Sequence, residues 1–119
     1  VKVEIRYDGR LARKIYAGSD MFLMPSLYEP CGLSQMVAMR YGCIPIARAT
    51  GGLKDTIKNG ETGFLFENAN TKSLLKAMRE ALQVYKNNNH WKSMQRNAMA
   101  EDFSWGNSAK QYAALYKSL

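Results

Sequence analysis

The chain has 119 residues, 46% hydrophobic and 23% charged, a size and balance that suit one globular domain and exclude wholesale disorder. Seventeen basic residues against ten acidic ones leave a net charge of +7. The cations are scattered from Lys2 to Lys117 with no run of the kind that marks a nucleic-acid-binding arm, so the excess suits an anionic metabolite or a polyanion, or solubility alone.

Val1, Val3, Ile5 and Tyr7 alternate with Lys2, Glu4, Arg6 and Asp8, the period-two pattern of a half-buried strand. Gly9 closes it, and a helix follows in which Leu11, Ile15 and Tyr16 share a face until Ala17-Gly18-Ser19-Asp20 breaks it. Met21 to Met24 reads as a short strand covered on both faces and stopped by Pro25. The loop from Ser26 to Gly32 leads into a helix opening at about Gly32, with Leu33, Met36, Val37 and Arg40-Tyr41 at helical spacing up to Gly42. Cys43 to Ala47 reads as a buried strand, which Pro45 places near a sheet edge or at a bulge. Thr50-Gly51-Gly52 is a second glycine-bearing loop before a short helix, Leu53 to Ile57. Asn59 to Gly63 is a turn and Phe64-Leu65-Phe66 a fourth strand. The remainder is helical. A helix capped by Asn70 or Thr71 carries Leu74, Leu75, Met78, Ala81, Leu82 and Tyr85 on its apolar face and ends at Asn87-Asn88-Asn89. A second runs from Trp91 to Ala100, and a third from Ser104 or Asn107 to the end.

Strands alternating with helices spell an α/β fold with a parallel sheet and flanking helices, one domain over residues 1–119. Ligands of such sheets bind beyond the carboxyl ends of the strands. The middle exit is the most chemical. Glu29 lies between a strand and a helix N-terminus, whose free amides suit a phosphate or a sugar hydroxyl, and Gly32 lets a ligand approach them. Glu29 is placed to accept two hydrogen bonds from adjacent sugar hydroxyls, or equally to complement the helix dipole. Gly51-Gly52 is a weak signal, since turns use paired glycines constantly. Tyr7 either stacks on a base or belongs to the core. The lone His90 and the separated Cys31 and Cys43 match no metal site, redox motif or disulfide framework, so free thiols in a reducing compartment are expected. No apolar stretch approaches the ~18 residues of a membrane span.

Pro25-Ser26-Leu27-Tyr28-Glu29-Pro30-Cys31-Gly32-Leu33-Ser34-Gln35, then Ala38-Met39-Arg40-Tyr41-Gly42, resembles the bacterial glycogen synthase and plant starch synthase family. Tyr16 to Asp20, Arg48 to Thr56, Thr62 to Phe66 and Asp102 to Trp105 agree in order and spacing, so the resemblance covers essentially the whole chain. It implies the GT-B architecture of two Rossmann-like domains, of which this chain is the latter part of the C-terminal, donor-binding one.

By that resemblance Glu29 and Cys31 are the catalytic positions. Glu29 holds the donor glucose hydroxyls, and Cys31, with Pro30 beside it and the amides of Gly32 and Leu33, lines the sugar and phosphate pocket. Thr50, Gly51 and Gly52 form the neighbouring wall, and Tyr7 lies against the nucleobase. The related retaining transferases carry a second glutamate where this chain has Val37. The implied reaction moves glucose from a sugar nucleotide, ADP-glucose by preference, to the non-reducing end of an α-1,4-glucan. It proceeds with retention and without metal or other cofactor, in the cytoplasm or, for a plant protein, the plastid stroma.

The sequence opens without an initiator Met and shows neither the family's N-terminal glycine loop nor its Arg/Lys pair for the pyrophosphate. A fragment, inactive alone and with an exposed sheet edge or helix face, is therefore expected. The rival readings are a transferase of the sucrose synthase or mannosyltransferase kind, and a non-catalytic glucan-binding module.

Overall fold

The computed structural model describes residues 1–119. Asp8 opens the first helix, accepting from the amides of Arg10 and Leu11 at 3.1 and 3.0 Å, and so satisfies two of the donors a helix start leaves free. The elements then run α1 (Gly9–Gly18), β1 (Met21–Met24), α2 (Ser34–Arg40), β2 (Ile44–Arg48), α3 (Gly51–Thr56) and β3 (Phe64–Phe66), followed by α4 (Thr71–Lys86), α5 (Asn88–Ala100) and α6 (Trp105–Lys117). The three strands form one parallel sheet in the order β1-β2-β3, with Met21 opposite Ile44 and Ile46 opposite Phe64. The expected parallel α/β architecture is therefore present, with flanking helices.

Two strand expectations change. Residues Val1 to Tyr7 form no strand and stay exposed, although their alternation is regular. A period-two pattern describes a side-chain face, whereas a strand also needs a partner for its backbone groups, and none pairs with this segment. β1 is accordingly an edge strand, and Leu23 is exposed rather than covered.

The second change concerns Pro45, which sits in the central strand rather than at an edge. Ile44 donates its amide to Asp20 on the β1 side at 2.9 Å, so alternation turns the amide-less nitrogen of Pro45 toward β3. The β3 ladder begins only at Ile46, and the missing donor therefore costs no bond. Gly63 makes room there, because a Cβ on it would stand 2.8 Å from the Pro45 carbonyl oxygen and ring.

The core is one cluster in which Met39, Ile44, Ile46, Leu53, Phe64 and Phe66 meet Ala77, Ala81, Trp91 and Met94. α4 packs on β2 and β3, and α5 touches α2, α4 and β2. The inward face of α4 is Leu74, Ala77, Met78, Ala81 and Val84, which keeps Leu74, Met78 and Ala81 of the expected stripe and replaces the rest. Ala77 and Ala81, one turn apart, let the helix backbone lie close to the sheet. Leu75 and Leu82, which the sequence pattern placed inside, are left exposed. Asn87 both ends α4 and caps α5, accepting from the His90 amide at 3.2 Å, so α5 starts three residues before the expected Trp91. α6 starts at Trp105, at the earlier of the two expected places, and Ser104 caps it, its hydroxyl accepting from the Asn107 amide at 3.4 Å. No helix is long and apolar enough to cross a membrane.

Candidate functional site

The parallel order places the exits of β1 and β2 side by side. From the β1 exit runs the segment Ser26 to Leu33, and from the β2 exit Ala49-Thr50 leads into α3. The two touch through backbone. The Gly52 amide donates to the Glu29 carbonyl at 3.1 Å. A Cβ on Gly51 would stand 2.0 Å from that same carbonyl oxygen, and a Cβ on Gly52 would stand 1.9 Å from the Cys31 carbonyl oxygen. Gly51 has φ +43 as well. Only hydrogen fits at either position. The paired glycines, a weak signal in isolation, thus have a steric cause: they are the first turn of α3 rather than a loop, and the Glu29-Pro30-Cys31 backbone lies directly on them.

The arginine ending β2 holds the other end of the loop. Arg48 donates from Nε to the Ser26 carbonyl at 2.9 Å and from Nη2 to the Leu27 carbonyl. Its guanidinium is therefore engaged in shaping the β1 exit, a role its position in the sequence did not signal. Gln35, missed as well, is fully buried in α2, and the two N–H groups of its Nε2 serve three acceptors, one hydrogen being shared: the carbonyls of Cys31 and Gly32 at 3.1 and 2.7 Å and the Thr56 hydroxyl at 3.1 Å.

Around this frame the amides of Cys31, Gly32, Leu33, Ser34, Gln35 and Met36 donate to no group of the chain, nor does that of Gly51. Free donors at the start of α2, in a chain of net charge +7, suit an anion or a ring of hydroxyls. Glu29 is half-buried and its carboxylate forms no ion pair or hydrogen bond. Cys31 presents an exposed thiol, Pro30 and Leu33 are exposed, and Thr50 is half-buried as the N-cap residue of α3 without a side-chain cap bond. The structure thus brings Glu29, Pro30, Cys31, Gly32, Leu33, Thr50, Gly51 and Gly52 onto two abutting segments. Tyr7 is not tied to them: it stands fully exposed ahead of α1, with no hydrogen bond and no aromatic partner.

A groove of about 550 Å³ lies beside these segments rather than on them. It begins at Leu33, runs along Met36, Val37 and Arg40, and is closed by Phe103 and its neighbours ahead of α6. No group of three or more His, Cys, Asp and Glu side chains comes together anywhere in the fold. The shifted titrations lie elsewhere. Burial, and then Asp20, pushes the Cys43 thiol up to about 11. A 2.6 Å hydrogen bond to Glu101 raises Lys58, and a bond to Asp20 raises the Tyr85 phenol. Hydrogen bonds from Ser104 lower Asp102.

With this geometry in place, comparison with known proteins is direct. The model of the family described as glycosyl transferases group 1 matches residues 6–98. A glycogen synthase of Kosmotoga olearia is 54% identical over 98% of this chain and 26% of the relative. One from Clostridium botulinum strain Alaska E43 is 52% identical over 100% of the chain and 26% of the relative. Among solved structures, the catalytic domain of starch synthase IV from Arabidopsis thaliana, bound to ADP and acarbose, superposes with a TM-score of 0.85. Its identity is 44%, over 95% of this chain and 25% of that one. A sucrose-phosphate synthase from Thermosynechococcus elongatus gives a TM-score of 0.72 at 28% identity, over 95% of this chain and 28% of that one. The chain therefore spans about a quarter of the length of the relatives it matches.

Proposed function

The chain belongs to the group 1 glycosyl transferases, and we propose that it supplies the donor side of a retaining hexosyltransferase of the glycogen and starch synthase kind. In this reading the amides of Gly32 and Leu33 take the diphosphate of a sugar nucleotide. Glu29 accepts hydrogen bonds from the hydroxyls of the donor glucose, Pro30 and Cys31 border the sugar, and Thr50, Gly51 and Gly52 form the opposite wall. Tyr7 is proposed for the nucleobase only on the resemblance. ADP-glucose is the proposed donor, supported by the similarity to a starch synthase bound to ADP. An α-1,4-glucan is the proposed acceptor, supported by the similarity to glycogen synthases. The proposed compartment is the cytoplasm.

The observation that carries this reading is the seam at the two strand exits. The Glu29 carbonyl is bonded to the Gly52 amide at 3.1 Å, while the amides that follow Glu29 have no acceptor in the chain. A carboxylate and a row of backbone donors then sit on one short segment, and the two halves of a sugar nucleotide, a polyol and a diphosphate, ask for those two chemistries. Breaking a glycosyl–phosphate bond loads negative charge onto the leaving diphosphate, and fixed amides stabilise that charge without reorganising.

The test is Glu29→Ala in a protein of the relatives' full length, measured as glucose incorporation into glycogen. Loss of about a hundredfold or more in turnover is expected, the scale on which misplacing a reacting group acts. Near-normal rates would assign the chain a glucan-binding role instead. Because Glu29 holds no protein partner, its removal should leave stability within about 0.5 kcal/mol of the parent, which urea unfolding checks. The isolated 119-residue chain is expected to turn over no donor.

A further inference from the structure

We infer that Gln35, tied to Thr56, is the positioning residue that turns the free amides of the β1 exit outward. The inference rests on the donor-site reading for its functional meaning but stands on geometry of its own.

Gln35 Nε2 lies within hydrogen-bond distance of three acceptors: the carbonyl of Cys31 at 3.1 Å, the carbonyl of Gly32 at 2.7 Å and the Thr56 hydroxyl at 3.1 Å. The Thr56 hydroxyl spends its own proton on the Gly52 carbonyl at 2.6 Å. It is therefore left only to accept from Gln35, which settles which end of the Gln35 amide is nitrogen. One fully buried side chain thus gathers the carbonyls of both abutting segments, two directly and one through a hydroxyl.

Every peptide bond in the chain is trans, and in a trans peptide the carbonyl of one residue and the amide of the next point opposite ways. Drawing the Cys31 carbonyl inward drives the Gly32 amide outward. Drawing the Gly32 carbonyl inward does the same for the Leu33 amide. These are the two amides proposed for the diphosphate, and neither has an acceptor in the chain.

The side chain that aims them is 0% exposed and so touches no ligand. Its remaining atom, Oε1, is buried without a partner and would stand 2.4 Å from a Cβ on Gly32. A buried orphan acceptor is a cost that an apolar side chain of similar shape avoids, so the glutamine is accounted for by its donors and not by packing. Gly32, with φ +74, completes the device, since a side chain there would strike that oxygen.

The experiment uses the 119-residue chain, isotopically labelled, and reads the directions of the Gly32 and Leu33 N–H vectors by residual dipolar couplings. Gln35→Met keeps the length and removes the donors. The expected result is changed couplings at Gly32 and Leu33 with those of β1, β2 and β3 unmoved. Unchanged vectors in a folded Gln35→Met chain would overturn the inference.

If that variant does not fold, Thr56→Val decides. Altered vectors at the same two residues, restored by Thr56→Ser, support the inference, and vectors unaltered in Thr56→Val overturn it. A general loss of stability would not be repaired at these two amides by the smaller serine. ADP that moves neither amide in a protein of the relatives' full length would sink the donor-site reading, while the vector measurement on the 119-residue chain stands by itself.

Discussion

Gly52 makes the sharpest demand of any single residue on the site. Its absent Cβ would lie 1.9 Å from a backbone oxygen, and neither partner is the movable end of a side chain, so Gly52→Ala must part the two segments. A cost of about 2 kcal/mol or more is expected from such overpacking, read as a lowered urea midpoint, along with loss of any amide response to ADP. The cysteines make a second, opposite case. Cys31 is exposed and Cys43 is buried, and burial followed by the nearby Asp20 pushes the Cys43 thiol up to about 11. At about pH 8 a thiol reagent should therefore modify Cys31 in the native chain and reach Cys43 only on unfolding, since the thiolate is the reactive form. Counting labelled thiols by mass before and after urea checks this.

Single side chains also organise whole elements. Arg48 at the end of β2 and Gln35 in α2 between them bind the carbonyls of Ser26, Leu27, Cys31 and Gly32. The long β1 exit is thereby shaped from both flanks although it contains no regular structure. At the start of α6 the Asp102 carboxylate accepts from the Ser104 amide at 2.9 Å, and hydrogen bonds from Ser104 hold it below the usual aspartate value of 3.8. A depressed carboxyl stabilises the fold above its unfolded pKa and loses that contribution as pH falls through the folded one. The connection into α6 should accordingly loosen only below pH 3.8. An NMR titration of Asp102 should show its midpoint under that value, and Ser104→Ala should raise it.

On the scale of the molecule, stability resides in the sheet with α2, α4 and α5. α6 buries none of its residues, and Trp105, Tyr112, Leu115 and Tyr116 on it are all exposed. A helix of 13 residues without tertiary packing is marginal in water. Ending the chain after Ser104 should therefore leave the unfolding free energy from urea titration unchanged to within about 0.5 kcal/mol, while the Lys58–Glu101 pair at 2.6 Å is retained. Amide exchange in the parent chain should likewise be fastest in α6. A midpoint that drops with the truncation would show that α6 docks on the domain in solution.

The sequence by itself determined the order of strands and helices from Met21 onward, a cap for α4 at Asn70 or Thr71, and the strand exits at which a ligand is to be sought. These follow from local periodicity, from capping chemistry and from motifs whose residues are neighbours along the chain. Only the tertiary structure decided that Val1 to Tyr7 stays outside the sheet and that Pro45 is safe in a central strand because β3 starts beyond it. The same holds for α4, which turns Ala77 and Val84 inward and leaves Leu75 and Leu82 exposed. The same division runs through the site. Glu29 is legible from its place between a strand and a helix start, and Cys31 and the paired glycines only through the family resemblance. The buried amide of Gln35 that binds Cys31, Gly32 and Thr56 is not, because Thr56 lies 21 positions away and no one-dimensional pattern records which buried donor will meet which carbonyl.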